Sequence, residues 1–194
     1  MTGRLPLSSS RPYTPAMLGP TLETERLILR PPKEEDLDGL ALMMADEEVA
    51  RFVGGQQSRS GAWRHLAAFA GSWALRGYGM FSVIEKASGR WIGRLGPWRP
   101  EDWPGAEIGW GLERSAWGRG FATEGAAATI DWAFDALGWD EVIHCIAPAN
   151  GPSAAVARRL GSSLRGSAYL PAPYDGEPVD IWGQTRDQWR SRRR

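Results

Sequence analysis

The stretch Ala116–Gly125, AWGRGFATEG, lies between a predicted strand and a predicted helix, and the interpretation of the fold starts from it. Gly118 and Gly120 have no side chain and Ala122 has only a methyl group, so successive backbone N–H groups are left uncovered. A turn of this kind at a helix N-terminus binds phosphate oxygens. The stretch therefore predicts a phosphate-binding loop, and a simple glycine turn is the alternative.

The residues around this loop narrow the choice of ligand. Arg119 within the loop and Arg114 just before it would add positive charge. The dinucleotide fingerprint GxGxxG is not satisfied, because Thr123 stands where the third glycine is needed. The Gly-Lys-Ser/Thr sequence of a Walker A motif does not occur. A dinucleotide-binding protein is therefore the disfavoured interpretation.

The preceding strand, Glu107–Glu113 (EIGWGLE), carries a carboxylate beside two glycines. Side chains alternate between the two faces of a strand, so Glu107, Gly109 and Gly111 share one face. Glycines in a strand often mark the close approach of a ligand or of another backbone. Glu107 at the head of this bare strip is predicted to be a general base, and a solvated edge carboxylate is the alternative. The apolar face consists of Ile108, Trp110 and Leu112.

Hydrophobic periodicity predicts the order β-α-α-β-β-β-α-β-α-β-β, which is typical of a mixed sheet with helices packed on it, in the α/β or α+β class. One domain is expected over residues 21–189, with tails at residues 1–20 and 190–194. The predicted strands are 26–30, 79–85, 90–98, 107–113, 141–147, 164–169 and 179–185. The predicted helices are 34–46, 60–76, 122–137 and 152–160. The apolar stripe of the second helix is predicted to be Trp63, Leu66, Ala67, Ala70 and Trp73.

Composition excludes several classes of protein. Hydrophobic residues make up 42% of the 194, which is typical of a folded chain. The formal net charge is zero, so we expect no nucleic-acid partner. We find neither a long apolar run nor a secretory signal, and expect no membrane contact and a cytoplasmic location. One cysteine, Cys145, and two histidines, His65 and His144, predict neither a disulfide framework nor a metal site.

Four stretches together resemble the GNAT superfamily of acyl-CoA N-acyltransferases. The resemblance is closest to the RimJ/RimL-like branch, which acetylates the N-termini of ribosomal proteins, and it covers residues 21–189. Its most specific part is WGRGFATEG (Trp117–Gly125), which is similar to the pyrophosphate loop of that branch. The other three are TLETERLILRPPKEEDL (Thr21–Leu37), AEIGWGLE (Ala106–Glu113) and NGPSAAVARRLG (Asn150–Gly161).

This resemblance implies a mixed, mostly antiparallel sheet of about seven strands with about four helices packed on it. The sheet would be splayed between the fourth and fifth predicted strands, and the pantetheine arm of acetyl-CoA would lie in that splay. It implies that Glu107 is the general base, usually through water, that Asn150 bonds the pantetheine or the acyl end, and that Ser153 lies near the thioester sulfur. The residues implied in cofactor binding are Arg114, Trp117, Gly118, Arg119, Gly120, Phe121, Ala122 and Thr123, together with Asn150 and Ser153.

The chain departs from the family where many relatives have a tyrosine general acid, because Ala157 stands at that position. Ser153 or water would then protonate the leaving thiolate, unless no acid is needed. The hypothesis is direct transfer in a ternary complex without a covalent acyl-enzyme, because Cys145, the only thiol, reads as a core residue of a strand.

The acceptor is left open between a protein N-terminal α-amine and a small-molecule amine such as an antibiotic or an amino sugar. A non-catalytic acyl-CoA-binding module is a third hypothesis, and the chain is expected to be a monomer or a homodimer. Acidic residues that could attract a cationic amine are Asp46, Glu47, Glu48, Asp175, Glu177 and Asp180. Aromatic residues that could line the acceptor slot are Trp63, Trp73, Trp103 and Tyr78, with core packing as the alternative for each.

Overall fold

A computed structural model describes residues 18–174, 176 and 178–193 of the chain. Their eight strands form one sheet, and they are β1 (Leu22–Glu23), β2 (Leu27–Arg30), β3 (Phe81–Glu85), β4 (Trp91–Trp98), β5 (Glu107–Leu112), β6 (Glu141–Ile146), β7 (Ser163–Ala168) and β8 (Val179–Thr185). Their order across the sheet is β1-β2-β3-β4-β5-β6-β8-β7. Every neighbouring pair is antiparallel except β5 and β6, which are parallel. The expected mixed, mostly antiparallel sheet is confirmed, with the short β1 as an eighth strand.

Six α-helices are described, where about four were expected. They are α1 (Leu37–Ala45), α2 (Glu47–Ala50), α3 (Arg59–Arg76), α4 (Phe121–Asp135), α5 (Gly151–Leu160) and α6 (Arg186–Arg192). Two additional 3-10 turns span Glu34–Asp36 and Arg114–Ala116. The unexpected helices, α2 and α6, are each capped by a side chain, that of Asp46 on α2 and that of Thr185 on α6, which satisfies backbone N–H groups of the first turn.

Helix α3 begins after Ser58, whose hydroxyl accepts from the Gly61 N–H, and ends at Gly77 in the left-handed conformation. The predicted apolar stripe is wrong at two positions, because Trp63 is 56% exposed and Ala67 is also exposed. The buried stripe consists of Ala62, Leu66, Phe69 and Trp73. Apolar residues surround this helix on more than one side, so periodicity alone did not identify the face that meets the sheet.

Helices cover both faces of the sheet. One apolar cluster joins α1 and α3 through Leu40, Met43 and Leu66. A second packs α4 and α5 against β5 and β6 through Ile108, Ile130 and Leu160. A third packs Trp73 and Phe121 on β2, β3 and β4. Helix α4 therefore covers the face of β5 that carries Ile108 and Leu112.

The expected splay is confirmed between β5 and β6. Six residue pairs join β5 to β4, whereas a single pair, Glu107 with Ile143, joins β5 to β6. The Ile143 N–H donates to the Ala106 carbonyl at 2.9 Å, where the two strands begin. Beyond this point the strands diverge, and their facing backbone groups need other partners.

The two ends of the chain only partly meet the expectation of tails. Residues 1–17 of the predicted N-terminal tail lie outside the described residues, whereas Leu18 packs on the cluster that contains Trp73. The predicted C-terminal tail is wrong for Arg190–Arg192, which belong to α6. Arg190 pairs with Asp135 at 3.0 Å and Arg193 with Asp131 at 2.8 Å, so α4 holds this segment. Among the helices described, we find none whose length and hydropathy would let it cross a membrane.

Candidate active site

A cavity of about 320 Å³ opens where β5 and β6 diverge. Glu107, Asn150 and Ser153, the three residues predicted to be catalytic, all line it. Glu107 comes from the start of β5, and the other two come from the beginning of α5. The splay therefore brings together residues that are more than forty positions apart in the sequence.

Glu107 is buried, with 7% of its surface exposed, so the alternative interpretation as a solvated carboxylate at the sheet edge is wrong. Its Oε2 accepts from the Trp103 indole N–H at 2.6 Å, and its Oε1 accepts from the Cys145 backbone N–H at 3.2 Å. Burial raises the pKa of Glu107 to about 7, and these hydrogen bonds together with the nearby Arg94 hold it from rising further. A carboxyl group of this pKa exchanges its proton readily near neutral pH.

His144 satisfies a backbone group that the splay leaves unpaired. The Nδ1 atom donates to the Ile108 carbonyl at 2.7 Å, and Nε2 accepts from the Ser162 hydroxyl at 3.0 Å. Gln184 Nε2 in turn donates to the Ser162 oxygen at 3.2 Å. Because a carbonyl can only accept, Nδ1 carries the proton, and burial lowers the pKa of His144 to about 4. The ring is therefore a neutral support of the splay.

The backbone of Trp110 faces the splay without such a partner. The Glu113 N–H donates to the Ile92 carbonyl of β4 at 2.9 Å, whereas the Ile108 carbonyl points the other way, toward His144. Hydrogen-bonding direction alternates along a strand, so the N–H and C=O of Trp110 point into the splay as Ile108 does. We find no hydrogen bond to either group from the described residues.

Asn150 and Ser153 are oriented by the first turn of α5. The Asn150 Oδ1 caps the helix by accepting from the Ser153 N–H at 3.1 Å. This leaves the amide Nδ2 as the group that Asn150 can offer to a ligand. The Ser153 Oγ accepts from the Trp110 indole N–H at 3.3 Å, so its own hydroxyl proton is available for donation.

The predicted phosphate loop leads from β5 into α4. Gly118 and Gly120 have φ angles of +71° and +82°, which other residues adopt with strain, and Gly120 caps the helix. A Cβ atom at Gly118 would meet nothing within 4 Å, so the loop is open on that side. Trp117 anchors the loop by donating its indole N–H to the Leu112 carbonyl at 2.8 Å. The geometry fits an anion at the N-terminus of α4.

The two arginines expected to add charge at this loop are both engaged in ion pairs. Arg119 pairs with Glu85, and its guanidinium lies 4.5 Å from the centre of the Phe121 ring. Arg114 pairs with Asp46 at 2.6 Å. The backbone N–H groups, and not these two side chains, are therefore what the loop has to offer to an anion. Asp46 also caps α2, so it is not the free acid predicted for the acceptor.

The four aromatic residues predicted for the acceptor slot have mixed outcomes. Trp103 lines the cavity, whereas Trp63 is exposed, Trp73 belongs to the core and Tyr78 packs on Trp139. Asp175 and Glu177 lie outside the described residues. His65 and Cys145 both line the cavity.

Two residues of the acceptor side were missed by the sequence analysis. Arg94 of β4 and Tyr174 both line the cavity close to Glu107. Arg94 is a charged residue within a predicted strand, between the apolar residues Ile92 and Leu95. A charged side chain in such a strand marks a candidate site residue, and this signal was not used.

The cysteine of this cavity is not activated as a nucleophile. Burial and the neighbouring Glu107 raise the pKa of the Cys145 thiol. The described residues contain no group of His, Cys, Asp and Glu side chains arranged to hold a metal ion.

Comparisons with known proteins agree with this geometry. The family model described as an acetyltransferase (GNAT) domain matches residues 26–163. An uncharacterized N-acetyltransferase of Bacillus licheniformis, p20, is 32% identical over 165 residues, which are 84% of this chain and 93% of that protein. The crystal structure of an acetyltransferase from Agrobacterium tumefaciens superimposes with a TM-score of 0.77 and 31% identity, over 95% of this chain and 100% of that chain. Mycobacterium smegmatis RimJ in complex with CoA-disulfide superimposes with a TM-score of 0.65 and 19% identity, over 84% and 83% of the two chains, which shows the fold alone.

Proposed function

Because this chain belongs to the GNAT family of acetyltransferases, we propose that it transfers an acetyl group from acetyl-CoA directly to a primary amine, with Glu107 as the general base. The observation that carries the proposal is the burial of Glu107 in the same cavity as Asn150 and Ser153. Burying a carboxylate costs free energy, and a buried carboxylate that lies beside an open cleft indicates a functional role.

The residues present fit acetyl-CoA. The open loop at Gly118–Thr123 presents backbone N–H groups for the pyrophosphate, and the unpaired N–H and C=O of Trp110 face the path of an amide-bearing arm. Asn150 Nδ2 would donate to a carbonyl in the cavity. Acetyl-CoA would supply the acetyl group as an activated thioester.

Glu107 would remove the proton that the attacking amine has to lose. At pH 7 an α-amine with a pKa of about 8 costs about 1.4 kcal/mol to deprotonate, and a lysine-like amine with a pKa of about 10.4 costs about 4.6 kcal/mol. A base with a pKa of about 7 is half ionised at that pH, so it accepts a proton and releases it again. The proton would pass from the amine to Glu107, directly or through one water.

Ser153, or a water molecule, would protonate the leaving thiolate, since Ala157 occupies the usual position of the tyrosine. The Trp110 indole already donates to the Ser153 oxygen, which orients the hydroxyl proton away from it and toward the cavity. The raised pKa of Cys145 disfavours a covalent acyl-enzyme and supports direct attack.

Two acceptor classes remain within this proposal. The RimJ/RimL-like branch would take a protein N-terminus, but the ribosomal-protein-alanine acetyltransferase of Vibrio fischeri is 21% identical to this chain and supports only the fold. The other class is a small-molecule amine. A non-catalytic acyl-CoA-binding module is disfavoured, because binding alone would not require a buried carboxylate beside the splay.

The test is thiol release from acetyl-CoA over a panel of amines, for the wild type and for Glu107→Gln at pH 6 to 9. Loss of a positioned general base costs about 100-fold or more in rate. We expect a loss of this size with Glu107→Gln and no loss with the exposed control Glu101→Gln. Stabilisation by acetyl-CoA in a thermal-shift assay should persist in Glu107→Gln. Equal rates for the wild type and Glu107→Gln across this pH range would contradict the assignment of the base.

A further inference from the structure

Arg94 is a half-buried cation that the acetyl-transfer proposal does not use. It projects from β4 into the cavity, and its guanidinium carbon lies 3.4 Å from where a Cβ atom would stand on Gly111. The guanidinium therefore packs directly over the glycine strip of β5. Glu107 occupies the same face of β5, with its Oε1 at 3.3 Å from the corresponding position on Gly109.

The surroundings of the guanidinium are mostly apolar. Its Nη1 contacts the Met80 sulfur at 3.9 Å, and its carbon lies 5.7 Å from the centre of the Phe69 ring. Most arginines in the described part of the chain pair with a carboxylate within 4.0 Å, but Arg94 has no such partner among these residues. Burial lowers the pKa of Arg94, yet a guanidinium stays charged in proteins. A partly buried charge that forms no ion pair with the described residues is costly, which indicates a role in binding an anion.

The spacing of the two charged groups fits one small molecule. Successive residues on one face of a strand are about 7 Å apart, and Glu107 and Arg94 face the cavity from the positions of Gly109 and Gly111. A molecule whose amine approaches Glu107 can therefore reach Arg94 with a second group. The planar fork of arginine matches a carboxylate with two parallel hydrogen bonds.

We propose that the acceptor is a small amine that also carries a carboxylate, such as a free α-amino acid, with its carboxylate bound to Arg94 and its amine facing Glu107. This inference rests on the proposed acetyl transfer. The cavity supports a small acceptor, because about 320 Å³ lies at the low end for ligand sites and includes the splay around Ser153. Phe52, Trp98 and Tyr174 among its walls favour an apolar side chain on that amino acid.

The same charge argues against other acceptors. A polyamine carries several positive charges, which Arg94 would repel within a poorly hydrated cavity, and an amino sugar has no anionic group to pair with the guanidinium. A protein or peptide N-terminus has an amide where a free amino acid has its carboxylate, so it would leave the guanidinium without a counter-charge.

The test compares acceptors that differ only in the carboxylate. Thiol release from acetyl-CoA is measured with phenylalanine, methionine and leucine, with their amides, and with dipeptides that begin with the same residues, all at equal concentrations of neutral amine. We expect kcat/KM for the acids to exceed that for the amides by about tenfold to a hundredfold, the range of a charge-assisted hydrogen bond. Amides or dipeptides that react as well as the acids would overturn the proposal.

Variants at Arg94 give an independent readout. Arg94→Gln should lower kcat/KM for the amino acids more than for the amides, by a similar factor, because any change in the pKa of Glu107 affects both acceptors alike, whereas Arg94→Lys should restore part of that difference. Arg99→Gln, an exposed arginine next to the end of the same strand, is the control and should change neither. An equal loss on acids and amides would overturn the proposal. Absence of thiol release with every amine tested would instead refute the acetyl transfer on which it rests.

Arg94→Gln is expected to fold, because it removes a half-buried charge that forms no ion pair with the described residues. The melting temperature of Arg94→Gln should be measured together with the kinetics. Its decrease relative to the wild type should be no larger than the decrease caused by Arg99→Gln. If it is larger, Arg94 has a structural role that the proposal does not assign to it, and the proposal is wrong on that point.

Discussion

The indole N–H of Trp103 donates to Oε2 of Glu107 at 2.6 Å, and both residues line the cavity. Among the described residues, no cationic side chain lies close enough to this carboxylate to form an ion pair. This hydrogen bond favours the ionised form, whereas burial favours the protonated form. The pKa of about 7 is the outcome of these opposing effects. Trp103 thus positions the Glu107 carboxylate and, in the proposed mechanism, sets the pH range in which it accepts a proton.

Replacing Trp103 by Phe should move the pH dependence of the reaction to higher pH. The variant removes the donor and keeps an aromatic ring, so the pKa of Glu107 should rise and the rate at pH 7 should fall several-fold. The measurement is kcat/KM from pH 6 to 9.5. Trp98→Phe is the matched control, because Trp98 lines the same cavity and does not bond to Glu107. A Trp103→Phe profile that falls in rate without moving along the pH axis would contradict this role.

The raised pKa of Glu107 also predicts how stability depends on pH. The folded protein holds this proton more tightly than the unfolded chain, so the contribution is present below the unfolded pKa of about 4.5 and is lost as pH rises through about 7. The loss amounts to about 3 kcal/mol, at 1.36 kcal/mol for each unit of pKa. His144, whose pKa is lowered, contributes with the opposite sign in the wild type and in Glu107→Gln alike.

Chemical denaturation at pH 5 and pH 8 tests this prediction. The free energy of unfolding of the wild type should decrease between these values relative to that of Glu107→Gln, whatever the constant difference between the two proteins. A difference that stays the same at both pH values would show that Glu107 has an ordinary pKa in the folded protein.

The face on which Glu107 lies could be predicted from the sequence because it depends on backbone geometry alone. Side chains of EIGWGLE must alternate, and Glu107, Gly109 and Gly111 do share a face. The two left-handed glycines of the loop could be predicted for the same reason, since their conformations exclude most other residues. The splay itself followed from the family resemblance and not from any local pattern.

The contacts that complete the site could not be predicted, because they depend on how separate elements pack and on which way their side chains turn, and not on spacing along the sequence. Arg94 comes from β4 and Trp103 from the turn before β5, and nothing in their own neighbourhoods identifies Glu107 as what they face. The pairing of Arg114 with Asp46 likewise joins segments 68 residues apart. The local sequence shows the charges of Arg114 and Asp46, but it does not indicate that the two residues pair.

The glycine strip of β5 gives a matched pair of substitutions. A Cβ atom at Gly109 would lie 3.0 Å from the Met80 methyl group and 3.3 Å from the Glu107 carboxylate, whereas at Gly111 the nearest atom is at 3.4 Å. Gly109→Ala should therefore displace Glu107 and lower kcat by about tenfold or more, since a small misplacement of a catalytic group is costly. Gly111→Ala should alter mainly the KM for the acceptor, because it contacts Arg94. Steady-state kinetics of the two variants check this, and equal effects on kcat would contradict it.

The loop before α4 gives the sharpest test of the cofactor site. Gly120 begins this helix with φ of +82° and Gly138 follows it with φ of +69°, so alanine at either position brings similar strain, about 1 to 2 kcal/mol of destabilisation. Only Gly120 lies where the pyrophosphate is proposed to bind. Gly120→Ala should therefore raise KM for acetyl-CoA with little change in kcat, because phosphate contacts contribute equally to ground-state and transition-state binding.

Gly138→Ala is the control for that experiment, since it should lower the melting temperature by a similar amount and leave KM for acetyl-CoA unchanged. A Cβ atom at Gly138 meets no atom within 4 Å, so the control adds backbone strain and no steric contact. If both variants shift KM alike, the effect comes from the stability of α4 and not from the loop. If neither shifts it, the pyrophosphate binds elsewhere, and the role assigned to Gly118–Thr123 is wrong.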